Sequence, residues 1–488
     1  MKIMTNKQAW LIRGLFLFVI LLAGCAPFAQ PFAQHREKLA ICINPKQEPS
    51  KECEPHALQA FPSEGGSQYL LGFVEFDDQG QLWDRKQMWA ILDTLWTEAA
   101  DKDLLIAVFV HGWKHSAKPH DTNIDTFREV LSGLSKSELH ISQKDKRPAR
   151  KVVGIYLGWR GGSIRVPMAE ELTFWDRKNT AQKVSRGGVT EVLSQLELLK
   201  RVRDQIVQEE NDLELLKRVN ENMLQEKTEP ELLNRLKDRI SQNRRIKSGT
   251  RLVIVGHSFG GAIVFSSLVQ ILESRIVRTL GPVGTQSDVE GFGNLIVLIN
   301  PALEALQFAP LSDMSTERGT YFSSQLPVMA VLTSEADQAT RLAFPVGRRI
   351  STLFEKSDRD IKRHNGVSGI KETIHEGEAT VTAIGHFEPY RTHKLYPAAD
   401  APVKTFVHFS GSESVNSASA ARSAWENDEP GSRIPIAGLT LERTDTSAGR
   451  NPYLVVKVHK SLIAGHNNID HPRILEFLKQ LILISTLP

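Results

Sequence analysis

The residues with the clearest chemical potential lie at positions 256–260, which read Gly-His-Ser-Phe-Gly. They directly follow the apolar run 251–255 and directly precede the apolar helical pattern of residues 261–272. A strand that turns sharply into a helix exposes a serine hydroxyl at the turn, and flanking glycines let neighbouring backbone approach closely. Because a serine hydroxyl is a weak nucleophile near neutral pH, Ser258 would need an imidazole as base and a carboxylate to orient that imidazole. The pattern therefore predicts nucleophilic catalysis at Ser258.

This strand, turn and helix resemble those of the α/β-hydrolase superfamily, and the resemblance spans most of residues 68–345 and 450–488. It implies an α/β-hydrolase fold with Ser258 as the nucleophile. It also implies that an acid and then a histidine base follow Ser258 along the chain. In this superfamily the base lies between the last strand and the C-terminal helix, and the acid normally follows the preceding core strand.

Two histidines lie in the loop that the resemblance assigns to the base. We choose His466, because it adjoins Gly465 among flexible polar residues. His471 directly precedes Pro472 and can instead open the C-terminal helix, since proline is favoured in the first turn. His471 stays as the alternative.

Three carboxylates are candidates for the acid. Asp337 follows the apolar run 327–333, and we choose it. Glu335 in the same segment is the first alternative. Glu304 follows the apolar run 294–300 and is the second, because some members of the superfamily place the acid one strand earlier. Each of these carboxylates could instead cap a helix or be an exposed charge.

A second short motif, His111-Gly112, ends the apolar run 104–110. It resembles the oxyanion loop of the same superfamily. The resemblance implies that the backbone N–H groups of Trp113 and Phe259 stabilise the negative charge that develops on the substrate oxygen. We expect His111 itself to fix the loop by hydrogen bonding rather than to take part in the chemistry.

The N-terminus predicts export. Residues 1–24 combine three basic residues with an apolar run at 14–23, too short to cross a hydrocarbon core of about 30 Å and typical of a secretory signal. The following Leu-Ala-Gly-Cys resembles the lipobox of bacterial lipoproteins. It implies cleavage before Cys25, which would carry acyl chains such as palmitate. The residue after the cysteine is Ala26 and not aspartate, which in such lipoproteins indicates anchoring in the outer membrane, with the protein facing the periplasm. The alternative to a lipoprotein signal is an ordinary cleaved signal or a signal anchor.

The charge of the chain limits the classes of function that it can have. The chain has 488 residues and a net charge of +3, and all of that excess lies in the first 24 residues. The rest of the chain is neutral, which argues against nucleic-acid binding, because such binding depends on basic residues.

In an oxidising compartment Cys42 and Cys53 are expected to form a disulfide in the N-terminal linker 25–67, with two reduced thiols as the alternative.

We expect no metal and no cofactor. His111 and His115 are the nearest approach to a metal-binding pair. No glutamate lies between them, and no third ligand follows at a suitable spacing.

The remaining pattern indicates one domain, residues 68–488, of the α/β class. Continuous apolar runs separated by helical patterns predict a mainly parallel sheet flanked by helices. Two segments interrupt this alternation. Residues 189–247 are predicted to form a charged, solvated helical hairpin, or alternatively an arm for a protein partner. Residues 346–450 are predicted to be a long irregular insertion, with a lid over the site as one role.

These observations together predict a lipid-anchored serine hydrolase acting on a carboxylic ester, as esterases, lipases and phospholipases do. A small ester or a lipid of the neighbouring membrane is the expected substrate. Amidase, thioesterase and acyltransferase activities stay open because they use the same triad. The alternative is a non-catalytic binding or scaffold lipoprotein that uses the fold and the helical arm 189–247.

Overall fold

The apolar runs of the sequence become strands of one large sheet. The structure, a computed structural model, describes residues 31–33, 40–41, 53, 56–62, 68–161, 174–224, 249–281, 286–351, 359–398 and 411–486. Its strands are β1 (Ala40–Ile41), β2 (Leu58–Pro62), β3 (Gln68–Glu75), β4 (Leu104–Val110), β5 (Lys151–Gly158), β6 (Arg251–His257), β7 (Leu295–Ile299), β8 (Met329–Ser334), β9 (Asp360–His364), β10 (Lys371–His375), β11 (His393–Pro397), β12 (Arg433–Ile436), β13 (Leu439–Arg443) and β14 (Tyr453–Val458).

The middle of this sheet is parallel. Twelve of the described strands lie in the order β1-β2-β3-β5-β4-β6-β7-β8-β14-β11-β13-β12, and all neighbours from β3 to β11 are parallel. Antiparallel pairs join β2 to β3 at one side and β13 to β11 and β12 at the other. Every residue of β4 and β8 is buried, as expected for strands covered on both faces. The predicted α/β class with a mainly parallel sheet is confirmed.

Helices cover the sheet and create a hydrophobic core on each face. Alternate residues of β4 divide between the two cores, with Ile106 and Val108 in one and Ala107 and Phe109 in the other. The α-helices of the described residues are α1 (Arg85–Asp101), α2 (Thr122–Asp145), α3 (Phe174–Arg186), α4 (Gly188–Leu224), α5 (Phe259–Val277), α6 (Ala305–Arg318), α7 (Phe344–Ser351), α8 (Glu376–Val381), α9 (Gly411–Glu426) and α10 (Pro472–Thr486).

Among the described residues, α5 is the one helix whose length and apolar composition would suit a membrane span. Half of its apolar stretch is buried inside the molecule. It connects β6 to β7 and packs against both strands, as a core helix does.

The N-terminal segment joins the sheet earlier than predicted. β2 pairs antiparallel with β3, and Phe61 stacks on Tyr69 with ring centroids 5.0 Å apart. Residues 58–62 therefore belong to the domain and not to the linker; this run is too short and too mixed in polarity to stand out in the sequence. Cys53 is disulfide-bonded. Cys42, Cys25 and the signal residues 1–24 lie outside the described residues.

The helical insertion begins as a core helix. In α4 the apolar residues Val189, Val192, Leu193, Leu196 and Leu199 are buried in one of the two cores. The prediction of a solvated segment is therefore wrong for this part of 189–247. Its apolar stripe at helical spacing is masked in the sequence by charged residues on the opposite face. Residues 225–248, which include the rest of the predicted hairpin, lie outside the described residues.

The segment 346–450 is not irregular where the structure describes it. It contains the hairpin β9–β10 and helices α8 and α9, and strands β11, β13 and β12 extend the main sheet. These strands are short, and β12 and β13 alternate buried and more exposed residues. A search for continuous apolar runs overlooks such edge strands, which explains the wrong prediction.

A buried ion pair tests whether this segment belongs to the core. Arg443 and Asp428 have side chains 1% and 0% exposed and contact each other. Removing one partner of such a pair costs about 3–5 kcal/mol, because the other charge stays buried. We expect Asp428→Ala to lower the free energy of unfolding by that amount in a urea titration.

The control is Arg433→Ala, because that side chain is 69% exposed in its ion pair with Glu442. We expect it to change the free energy of unfolding by less than about 1 kcal/mol. Equal effects of the two substitutions would contradict the assignment of the segment to the core.

Candidate active site

Ser258 occupies a tight turn between β6 and α5. Its backbone lies at φ 55° and ψ −120°, where residues with side chains are rarely found. Glycines make this turn possible. A Cβ on Gly260 would lie 2.1 Å from the carbonyl oxygen of Val110, and one on Gly256 would lie 2.6 Å from the carbonyl oxygen of Gly260. The sharp strand-to-helix turn predicted from the sequence is present.

The structure brings Ser258, His466 and Asp337 into one hydrogen-bonded chain. Oγ of Ser258 lies 2.7 Å from Nε2 of His466, and Nδ1 of His466 lies 2.9 Å from each carboxylate oxygen of Asp337. An ionised carboxylate only accepts hydrogen bonds, so Nδ1 carries the ring proton. Nε2 is then the acceptor for the hydroxyl proton of Ser258. This is the arrangement that nucleophilic catalysis requires.

The environment of Asp337 keeps it ionised although it is fully buried. Burial raises the free-energy cost of the negative charge. The hydrogen bond and charge interaction with His466, together with two hydrogen bonds from Thr340, outweigh this cost. The backbone N–H of Thr340 donates to Oδ1 at 3.1 Å, and its hydroxyl donates to Oδ2. The net effect lowers the pKa of Asp337 below its usual range.

Three polar side chains at the ends of neighbouring strands hold the loop that carries His466. Nε2 of His257 on β6 and Nδ2 of Asn300 after β7 both donate to the backbone carbonyl of His466, each at 2.9 Å. The hydroxyl of Ser334 on β8 donates to the carbonyl of Ile463 at 2.6 Å. His466 is therefore held through its backbone as well as by Asp337.

The loop of His111 and Gly112 lies directly against the serine turn. A Cβ on Gly112 would lie 2.7 Å from Cβ of Ser258, so the loop and the turn are in contact. Nδ1 of His111 donates to the carbonyl of Gly112 at 2.9 Å, and the backbone N–H of Trp159 donates to Nε2 at 3.0 Å. His111 thus fixes the loop.

Aromatic rings connect this loop to the start of α5. His111 stacks on Trp159 with ring centroids 5.6 Å apart, and Trp159 meets Phe259 edge to face at 6.4 Å. Phe259 is the first residue of α5, and Trp113 packs against the hydrophobic core. Trp113 and Phe259, which are predicted to supply the oxyanion donors, therefore lie in the two segments that meet at Ser258.

Two buried histidines near the site are neutral. Burial lowers the pKa of His257 to about 3 and that of His111 to about 4. Each uses one ring nitrogen as a donor to a backbone carbonyl. Neither ring adds a positive charge beside His466.

The alternative site residues have other partners. Glu335 forms an ion pair with Lys457 at 3.1 Å, and the buried Glu304 contacts Lys178 and Arg348. The backbone N–H of Arg473 donates to Nδ1 of His471, at the start of α10. The structure brings none of these three alternatives to Ser258.

Sequence reasoning missed several residues that position the site. Asn300 ends one apolar run and Ser334 directly follows another. A polar residue at the end of a strand is therefore a usable signal for such positions. Thr340 lies three residues after Asp337, within the short range at which an aspartate side chain can accept from a backbone N–H. His386 stands out in the sequence only as part of the polar cluster 386–395, and the fold alone brings it to Thr340.

No group of three or more potential metal ligands occurs among the described residues. Nδ1 of His115 lies 2.8 Å from a carboxylate oxygen of Asp121, which also caps α2. This pairing gives His115 a structural role at the start of that helix.

Comparisons with protein-family models, with curated proteins and with solved structures found no match to this chain. The functional argument therefore depends on the geometry of the site.

The contact between Gly112 and Ser258 gives a direct test of the site. Gly112→Ala would place a methyl group 2.7 Å from Cβ of Ser258, so the loop or the serine must move. A displacement of about 1 Å near reacting atoms can cost about 100-fold in rate. We expect that loss in the rate at which Ser258 reacts with a fluorophosphonate probe.

Gly133→Ala is the matched control. The nearest non-local atom to its new methyl group would be Cδ of Lys479, at an ordinary 3.6 Å. We expect Gly133→Ala to react like the wild type. An unchanged rate in Gly112→Ala would refute the close contact between the loop and Ser258.

Proposed function

We propose that this chain is a serine hydrolase with an α/β-hydrolase fold, and that it cleaves carboxylic esters through an acyl-enzyme on Ser258. One observation carries the proposal. Ser258 lies at a positive φ in a glycine-flanked turn, with its hydroxyl 2.7 Å from an imidazole that Asp337 orients. Nucleophile, base and orienting acid are all present at hydrogen-bonding distance.

In the first half of the proposed reaction, Nε2 of His466 takes the hydroxyl proton as Oγ of Ser258 attacks the ester carbonyl. The tetrahedral intermediate carries its negative charge on the former carbonyl oxygen. When the intermediate collapses, the ester C–O bond breaks and His466 returns the proton to the leaving alcohol. The acyl group stays on Ser258.

In the second half, water replaces the alcohol. His466 takes a proton from the water, whose oxygen attacks the acyl carbon, and a second tetrahedral intermediate forms. Collapse releases the carboxylic acid and returns the proton to Oγ of Ser258. Throughout the cycle Asp337 stays ionised and stabilises the imidazolium form of His466.

The proposed oxyanion donors are the backbone N–H groups of Trp113 and Phe259. Two features support them. Phe259 begins α5, and the N-terminus of a helix favours negative charge. Gly112, directly before Trp113, contacts Ser258. Losing one donor of this kind typically costs about 3–4 kcal/mol of transition-state stabilisation.

We further propose that acyl chains on Cys25 hold the enzyme at the periplasmic face of the outer membrane, where lipids or small esters would be its substrates. The lipobox-like sequence supports this. The backbone N–H groups of Phe32 and Ala33 donate to the buried carboxylate of Glu75 at 3.1 and 2.7 Å, so the chain is attached to the domain soon after Cys25. The seven residue-to-residue steps from Cys25 to Phe32 can span at most about 25 Å.

A fluorophosphonate probe tests the enzymatic proposal. The full chain should be labelled, and Ser258→Ala should abolish labelling. Ser274→Ala is the control, because Ser274 is an exposed residue of the same helix α5 and should leave labelling intact. Absence of labelling in the folded wild type would favour a non-catalytic binding lipoprotein.

Substitutions at the base and the acid test their assignment separately. His466→Ala should abolish esterase activity, whereas His471→Ala should retain it. Asp337→Asn should lower kcat by about 10³–10⁴-fold because the imidazole loses its orienting charge, whereas Glu335→Gln should be nearly neutral. Full activity in His466→Ala or Asp337→Asn would show that the role belongs to another residue.

A further inference from the structure

A second histidine is linked to the acid through one intervening side chain. His386 ends the short helix Ile384–His386, inside the segment that the sequence predicted to be irregular. Its Nε2 lies 3.0 Å from Oγ1 of Thr340, and that hydroxyl contacts Oδ2 of Asp337. The hydrogen-bonded chain therefore continues beyond Asp337 for two more residues.

The direction of these hydrogen bonds follows from the chemistry of the groups. The carboxylate of Asp337 can only accept, so the single hydroxyl proton of Thr340 points to Asp337. The oxygen of Thr340 is then an acceptor for His386, and Nε2 of His386 must carry a proton. Thr340 thus contacts both carboxylate oxygens, one through its hydroxyl and one through its backbone N–H.

His386 is held firmly in this place. A Cβ on Gly385 would lie 1.8 Å from Oγ1 of Thr333 on β8, so the short helix packs directly against the strand that leads to Asp337. The backbone N–H of Ile384 donates to the carbonyl of Leu303 at 2.9 Å. The two residues directly before His386 are therefore fixed against β8 and against Leu303.

The charged groups around His386 leave it neutral. Burial is the main effect, and together with the positive charges of Arg341, Arg391 and Lys457 it outweighs the attraction of Asp337. The pKa of His386 is lowered to about 4. The ring is therefore a neutral donor near neutral pH.

We propose that Thr340 and His386 are positioning residues for the acid of the Ser258, His466 and Asp337 chain. The inference rests on the proposed hydrolase function. Thr340 fixes the plane of the carboxylate against the imidazole and takes up part of its negative charge. His386 acts through Thr340, because it keeps the hydroxyl proton directed at Asp337.

Thr340→Val tests the first part, since valine has the same shape without the hydroxyl. Hydrogen bonds to charged groups are among the stronger ones, and we expect the rate constant for fluorophosphonate labelling to fall about tenfold. The negative charge on Asp337 becomes less satisfied, which favours the protonated form of the base. The acid limb of the pH profile of labelling should therefore move to higher pH. Thr340→Ser keeps the hydroxyl and should restore both the rate and the profile.

His386→Leu and His386→Gln test the second part. Leucine removes the donor and should slow labelling severalfold, whereas the glutamine amide can still donate to Thr340 and should restore most of the rate. Because His386 acts through Thr340, the double variant Thr340→Val, His386→Leu should be no slower than Thr340→Val alone. Far-ultraviolet circular dichroism checks that each variant is folded.

The outcomes separate this inference from the proposed function. If the wild type is labelled and Thr340→Val leaves the rate and the pH profile unchanged, the inference alone is overturned. If Thr340→Val does not fold, an unchanged rate and pH profile in His386→Leu overturn it in the same way. A uniform loss of rate without movement of the acid limb, or additive effects in the double variant, would also overturn it. A folded wild type that is not labelled would overturn both.

Discussion

The backbone conformation of Ser258 is the constraint on which the site depends. A positive φ at a residue with a side chain costs about 1–3 kcal/mol, and it persists only where the surrounding structure imposes it. Here α5 imposes it. Its buried side chains Ile263, Val264, Phe265 and Leu268 are at most 1% exposed, and burial of each contributes about 1.5–3 kcal/mol. The free energy that burial of this helix contributes therefore exceeds the cost of the strained backbone at Ser258 severalfold.

The second requirement is that side chains from different strands meet at one edge of the sheet. Because β6, β7 and β8 are parallel, their last residues lie side by side, and His257, Asn300 and Ser334 all reach the loop of His466. Asp337 follows β8 at the same edge. The parallel topology thus brings together Ser258, His466 and Asp337 from segments that are distant in the sequence.

The sequence predicted the parts of this arrangement that leave local patterns. Gly256, Ser258 and Gly260 stand between a buried strand and a buried helix, and His466 and Asp337 each follow a continuous apolar strand. The alternating strands β12 and β13 and the core half of α4 were misread, because charged residues mask their apolar positions. Placement of the oxyanion donors, cleavage at Cys25 and the identity of the substrate remain predictions.

The link from Asp337 through Thr340 to His386 could not be predicted, because it depends on tertiary placement. His386 reaches Thr340 only after the chain has passed through the hairpin β9–β10 and helix α8. Nothing in the spacing of 337, 340 and 386 indicates that contact. Such long-range polar contacts are what a structure adds to a motif.

Mass spectrometry of an acyl-enzyme tests the central claim most directly. The full chain would be mixed with an activated ester such as p-nitrophenyl acetate, quenched in acid within the first turnovers, and digested. The account predicts an added acetyl group on the peptide that contains Ser258, released as the reaction continues. Ester hydrolysis without acetylation of Ser258, or acetylation confined to other residues, would contradict it.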